Sequence, residues 1–246
     1  MKKIVFFVLV SMVCISCQKE ASQPIEQGIY EAYQQGFSEI ITVTKSSYTG
    51  NDNIVVFMTM EEQFKFPSIF DNVNIETGNP ISDFYNGGRG SIRFVDIPLN
   101  NTQQYTLVVE KNGKTTLTGN FILITEYNIK KNDDQICLSL VGEGTFIRLS
   151  PKLYNLIGSL LMRTIDDESL IVTSKDKDYE KYATIQGEIQ EENIILYFYE
   201  ARISRGLSQV SQSNANYLDI DRLREEMDED DVLEFVRKAI YFKKKD

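Results

Sequence analysis

Short runs of alternating or β-branched apolar residues, separated by turn residues, fill most of residues 28–126. Ile40-Ile41-Thr42-Val43-Thr44 is β-branched throughout, as strands prefer. Ser47-Tyr48-Thr49-Gly50-Asn51-Asp52-Asn53 is a turn cluster, and Ile54-Val55-Val56-Phe57-Met58-Thr59-Met60 returns as a second strand. Residues 67–90 are loop-rich, and Ser91-Ile92-Arg93-Phe94-Val95 alternates as a half-buried strand does. Residues 105–110 and 114–118 flank Lys111-Asn112-Gly113, which predicts a hairpin with a type I′ Asn-Gly turn. Residues 121–126 continue the meander.

The second half is mixed. Residues 136–149 read as two strands around Gly142-Glu143-Gly144. Ser150-Pro151 is a helix start, since Ser caps free N–H groups and Pro suits the first turn. Leu153, Leu156, Ile157, Leu160 and Leu161 then recur at helical spacing. A second hairpin is predicted from 182–189 and 193–199 around Gln190-Glu191-Glu192. Residues 204–216 are polar and read as a linker. Asp219 or Asp221 caps a helix with Leu223 and Met227 inward. Asp228-Glu229-Asp230-Asp231 breaks it and caps a second helix, with Val232, Phe235, Val236, Ala239 and Ile240 on one face and Lys243-Lys244-Lys245 at its end.

The pattern therefore predicts a β-rich α+β chain. An antiparallel β-sandwich-like domain spans 28–126, a mixed α/β region 127–203, and a linker with C-terminal helices 204–246. The immunoglobulin Cys-Trp-Cys core is absent. The alternative is one larger β-barrel-like domain over 28–203, closed by the late hairpin.

The first residues have a different grammar. Lys2 and Lys3 precede a twelve-residue apolar run from Ile4 to Ile15, then Ser16 and Cys17, then polar residues from Gln18. A basic start, a short apolar run and a small residue are the parts of a secretory signal peptide. The run is well short of the roughly 20 residues that a spanning helix needs. Cys14-Ile15-Ser16-Cys17 resembles the processing site of bacterial lipoprotein precursors, with Cys14 and Ile15 in place of the usual Leu and small residue. The resemblance covers only residues 1–20. It implies cleavage after residue 16, diacylglycerol on the Cys17 sulfur and an acyl chain such as palmitate on its amine. Residues 17–27 are then a tether. An ordinary secretory signal and an uncleaved anchor are the competing readings.

Composition narrows the function more than it names it. Loss of Lys2 and Lys3 leaves a formal charge of −12, against −10 for the whole chain. Such a chain is repelled by nucleic acid, so no nucleic-acid partner is expected. Histidine and tryptophan are both missing. A Ser-His-Asp triad, a Cys-His pair and imidazole metal ligands are thereby excluded. Of three cysteines, cleavage discards Cys14 and lipid occupies Cys17. Cys137 is then unpaired, a half-buried packing residue, while an unmodified Cys17 leaves a Cys17–Cys137 bridge open.

The remaining candidates each have a plain structural reading. Asp176-Lys177-Asp178-Tyr179-Glu180 resembles the start of a calcium loop but lacks the sixth-place glycine and the twelfth-place glutamate. Asn86-Gly87-Gly88-Arg89-Gly90 has the elements of an anion nest without the helix that follows one. Asp166-Asp167-Glu168 supplies carboxylates that need a partner across a cleft. Tyr30, Tyr33, Phe84 and Tyr85 are candidates for a recognition surface, and the C-terminal apolar helix for a docking element.

No residue is assigned a catalytic or metal role, and no cofactor is implied. The expected protein is a lipid-anchored, non-catalytic binding or assembly protein of the bacterial cell envelope, on the outer membrane or in contact with the periplasm. Its partners are the membrane, through the lipid on Cys17, and a protein or glycan. A carboxylate-dependent glycan hydrolase and an immunity or inhibitor lipoprotein are the alternatives.

Overall fold

A computed structural model describes residues 25–59, 105–119, 122–155 and 167–245. In chain order its strands are β1 (Gly28–Ser38), β2 (Ile41–Val43), β3 (Tyr48–Thr49), β4 (Ile54–Thr59), β5 (Thr106–Val109), β6 (Lys114–Gly119), β7 (Ile122–Asn132), β8 (Gln135–Leu140), β9 (Phe146–Ile147), β10 (Ile171–Val172), β11 (Thr184–Gln190), β12 (Asn193–Arg205), β13 (Ser208–Ala215) and β14 (Val232–Lys244). Two short helices, α1 (Tyr179–Ala183) and α2 (Ile220–Glu226), and 3-10 turns at Pro151–Asn155 and Glu168–Leu170 connect them.

Eight strands close an antiparallel barrel in the order β1-β5-β6-β7-β8-β11-β12-β14 and back to β1. Closure leaves the barrel itself without edges. Taken without the inserted elements, this is chain order, so the barrel runs up and down. The turns at 110–113, 133–134 and 191–192 lie at one end, together with the start of β1 and the end of β14. The connections 39–105, 141–183 and 206–231 all leave from the other end. These are called the hairpin end and the loop end. At the loop end β4 extends the sheet beside β1, β13 beside β12, and β2 and β3 beside β14.

The hairpin half of the interior is apolar. Tyr30, Leu107, Leu117, Leu138, Ile185, Leu196, Phe198, Ile240 and Phe242 belong to one buried cluster. A second core lies outside the barrel wall, where Ala201, Ile203, Leu233 and Phe235 meet Ile41, Val43, Leu149, Leu218, Leu223 and Met227. β14 therefore buries both faces along its middle. Burying each of Phe235 and Phe242 contributes about 2–3 kcal/mol.

The barrel corrects several expectations. Its closed form fits the barrel-like reading better than the sandwich, although β14, beyond residue 203, makes the closure. The predicted helix from Val232 to Ile240 is β14 instead. Val232, Phe235, Val236, Ala239 and Ile240 do fit a helical stripe, but Leu233, Lys238 and Phe242 are buried as well. Burial on two faces satisfies a strand between two cores. The predicted linker 204–216 contains the end of β12 and all of β13, whose Ser and Gln side chains suit the exposed edge of a sheet.

Other expectations hold with changed detail. The hairpin at Asn112-Gly113 forms, with Gly113 N–H donating to Glu110 O at 2.9 Å. Only Gly113 in that loop takes positive φ, at 80°. The turn is thus a three-residue loop with a left-handed glycine rather than type I′. The second hairpin turns at Glu191, also at positive φ. Ser150 Oγ accepts the Lys152 N–H at 3.2 Å, as a cap should, but opens a 3-10 turn, Pro151–Asn155. Asp219 caps α2, and Leu223 and Met227 are buried as expected. The predicted strand 91–95, the loops at 67–90 and the helical positions 156–161 lie outside the described residues.

Gly119 is a packing requirement of the interior. A Cβ there would meet Tyr105 Cδ1 at 2.1 Å. Gly119→Ala is expected to lose about 1–3 kcal/mol in urea unfolding, because the ring must shift inside a packed barrel. Unchanged stability would mean that Tyr105 does not pack where it is placed.

Candidate functional site

Toward the loop end the barrel interior turns polar. Lys238, on β14, is 1 % exposed. Its Nζ donates to Glu200 Oε1 on β12 at 3.0 Å and to Asn214 Oδ1 on β13 at 3.1 Å. Asn214 Nδ2 in turn donates to the Tyr105 hydroxyl at 3.2 Å. The rings of Phe37 and Tyr105 each lie 5.8 Å from Nζ. Burial opposes the charge on Lys238, but the Glu200 carboxylate and the Tyr105 hydroxyl outweigh it and raise its pKa above the ordinary lysine value. Further along both strands toward the loop end, Arg202 Nε and Nη2 donate to Glu234 Oε2 at 3.0 and 2.5 Å.

A bulge in β1 adds to this layer. The register shifts between Ala32 and Gln34, so Gln35 pairs with Ile240 and Phe37 with Lys238. Partners in a ladder share a face, so the bulge turns Gln35 and Phe37 inward. Gln35 is fully buried, and neither its amide nitrogen nor its oxygen has a hydrogen-bond partner among the described residues. A third cluster lies on the outside. Arg205 donates to both oxygens of Asp231 at 2.8 and 2.6 Å and to Asp228 at 2.8 Å. Asp231 also accepts from the Tyr154 hydroxyl at 3.3 Å and from the Asp228 N–H at 2.7 Å.

Each of these carboxylates holds a cation: Glu200 holds Lys238, Glu234 holds Arg202 and Asp231 holds Arg205. Glu200 and Glu234 each accept from a cation, so they do not face each other across an open cleft as a glycosidase pair does. A surface depression of about 400 Å³ is lined by Glu143, Gly144, Thr145, Thr173, Ser174 and Lys175. None of the carboxylates just described reaches it.

The residues singled out in the sequence fall in different places. Asp176 turns its carboxylate back onto Thr173, whose N–H donates at 2.8 Å, and Asp178 pairs with Lys181 at 3.1 Å. Among the described residues no group of three or more Cys, Asp or Glu is placed to hold a metal ion. Asp228-Glu229-Asp230-Asp231 ends α2 and leads into a strand, with Asp231 as the Arg205 partner, so it caps no second helix. Asp167 caps the 3-10 turn at Glu168–Leu170 through the Ser169 N–H, while Asp166 is outside the described residues. Tyr30 is buried, its hydroxyl donating to Glu26 O at 2.8 Å, and Tyr33 is exposed on the barrel wall. Cys137 is partly buried and has no disulfide partner among the described residues. Cys17, Phe84, Tyr85 and residues 86–90 lie outside the described residues. Lys238, Glu200, Asn214 and Gln35 gave no sequence signal, because their faces depend on the bulge and on strand pairing.

Among the described residues no helix is long and apolar enough to cross a membrane. Comparison with family models, with curated proteins and with solved structures finds no match for this chain.

Two outcomes follow from the ion pairs. Lys238→Met leaves Glu200 without its cation and should cost about 3 kcal/mol. Lys238→Met combined with Glu200→Leu should recover most of that loss, and no recovery in denaturant titration would show that the pair is not coupled. Asp231 has a lowered pKa: burial raises it, but the Arg205, Asp228 and Tyr154 contacts outweigh burial. Its stabilisation is therefore complete above about pH 3.9 and lost as pH falls through the lower folded value. Asp231→Asn should lower stability at pH 7 and flatten its decline below about pH 4. An unchanged acid limb would contradict the assignment.

Proposed function

We propose that this chain is a lipid-anchored, non-catalytic binding protein of the bacterial cell envelope, held on a membrane, the outer one expected, through Cys17. The observation that supports this reading most is the direction in which the chain enters the barrel. β1 begins at the hairpin end, so a tether of residues 17–27 leaves from there. A chain of that length spans at most about 40 Å. β1 then carries the chain through eleven residues, about 35 Å along the strand, before the first long connection. A lipid on Cys17 thus places the tight turns toward the membrane and the long connections away from it. Long connections are where binding residues concentrate on a rigid scaffold.

The partner in this reading is a protein or a glycan of the envelope. The acidic charge disfavours nucleic acid. Two acyl signals anchor a protein stably where one is marginal, so the membrane attachment depends on full modification of Cys17.

Expression in a bacterium with a lipoprotein-processing pathway provides the test. The mature protein should begin at Cys17 with the added mass of diacylglycerol and an acyl chain, and should sediment with membranes. Cys17→Ser should abolish incorporation of labelled palmitate and release the protein from the membrane fraction. An unmodified Cys17 thiol on the mature protein would sink the proposal.

A further inference from the structure

The polar layer inside the barrel brings a nucleophile, an amide carbon and a carboxylate together. Lys238 Nζ is 3.0 Å from Glu200 Oε1 and 3.1 Å from Asn214 Oδ1. A carbonyl carbon lies about 1.2 Å behind its oxygen. The Lys238 nitrogen is therefore already at the carboxamide, and a small shift from its edge to its face brings Nζ onto Cγ. The backbone fixes this meeting. The ladder of β12 with β13 shifts register between Tyr199 and Ala201, and Asn214, in that irregular stretch of β13, has a φ of 52°. A bulge of this kind re-aims a side chain, and here it carries the Asn214 carboxamide to Lys238 on β14. The carboxamide is held at its other end as well, because Nδ2 donates to the Tyr105 hydroxyl at 3.2 Å. The rings of Phe37 and Tyr105 each lie 5.8 Å from Nζ, and Lys238 is 1 % exposed, so the lysine is shielded from water.

Burial is the largest influence on the Lys238 ammonium and opposes its charge, while the Glu200 carboxylate is the main group that keeps the proton in place. Passing that proton to Glu200 along their hydrogen bond replaces two buried charges with two neutral groups and frees a lone pair on Nζ. An amine held against an amide then reacts as an intramolecular partner, with the high effective concentration that fixed geometry supplies. From this geometry we infer that the chain cross-links itself, Lys238 Nζ attacking Asn214 Cγ to join the two side chains by an isopeptide bond. The Nζ–Cγ bond forms and the Cγ–Nδ2 bond breaks. Glu200 takes one proton from the ammonium before attack, gives it to Nδ2 as that nitrogen leaves, and takes the second proton that the linking nitrogen sheds. The departing ammonia picks up this last proton, so ammonium is the sole by-product, and no oxidant, reductant or cofactor enters. The bond ties β13, paired with β12, to the closing strand β14. Residues 18–246 contain one cysteine, so no disulfide within them can staple the fold, whereas an isopeptide bond restrains the unfolded chain as a disulfide does. The Lys238–Glu200 ion pair is the state that precedes the bond. Asn214→Ala, which cannot link, is thus the background in which the strength of that pair is measured.

Mass spectrometry of the full-length protein, purified from whole cells in mild detergent, tests the bond. The folded chain should weigh one ammonia less, about 17 Da, than its sequence and its N-terminal modification require. Trypsin should release residues 206–222 and 238–243 as a single branched peptide, since a linked Lys238 is no longer cut. Asn214→Ala and Glu200→Gln should each yield 206–222 as a linear peptide, with thermal unfolding showing that the variant is folded. Leu207→Ala, at an exposed residue on the β12–β13 turn, should link as the wild type does. Recovery of linear 206–222 from the folded wild-type protein would overturn the inference, whatever the variants do. Linking of Glu200→Gln at the wild-type rate would overturn the role given to Glu200. The bond is independent of the anchor: an unmodified Cys17 would defeat the envelope reading and leave the branched peptide in place.

Discussion

The ladder that β14 makes with two partners at once is the interaction on which the rest of the structure depends. It pairs with β12 from Val232 to Phe242 and with β1 from Lys238 to Lys244. Where β1 bends away after Ser38, β2 takes its place against residues 233–235. Each backbone group along β14 therefore has a neighbour on one side or the other. Without this strand, β1 and β12 would be open edges and Phe198, Leu196 and Tyr30 would face water. The last strand in the chain thus completes a core that the first strand begins. Such long-range closure is slow to form and costly to lose.

Closure also explains why a charged layer is tolerated inside. Taking Lys238 and Glu200 out of water costs several kcal/mol for each ion. The cost is offset only by close pairing and by further hydrogen bonds, which Asn214 and Tyr105 supply. Asn214 reaches Lys238 from β13, a strand that among the described residues pairs with β12 alone. The network therefore ties an edge strand to the barrel wall and to Tyr105, which itself needs the space left by Gly119. This layer marks the change from an apolar hairpin half to a loop end built from long connections.

Much of this was legible along the chain, and the misses share a cause. Local signals held: Asn112-Gly113 made a turn, Ser150 and Asp219 made caps, and Gln190-Glu191-Glu192 made a hairpin. What failed depended on partners distant in sequence. Val232 to Ile240 looked helical because both faces of β14 are buried, one by the barrel and one by α2, and this removes the two-residue alternation. Ser208 to Ala215 looked like a linker because an edge strand carries polar side chains. The outward face of the barrel wall was half visible. Tyr33 stood out as a recognition candidate, but Phe57 and Tyr197 read as ordinary strand residues and Tyr241 as part of a C-terminal helix. Their common face follows from the bulge after Ala32, which reverses the inward and outward positions of Gly36 and Gln35 and leaves no trace in composition.

Hydrogen exchange at the β14 amides tests the central claim, that this strand closes the barrel, most directly. A closing strand opens only when the whole barrel opens, so amides from residues 236–242 should exchange as slowly as the slowest of β1 and β12, with the free energy of global unfolding. Exchange of β14 at much faster, fraying rates, while β5 to β8 remain protected, would show that the barrel stands without it and would contradict the account.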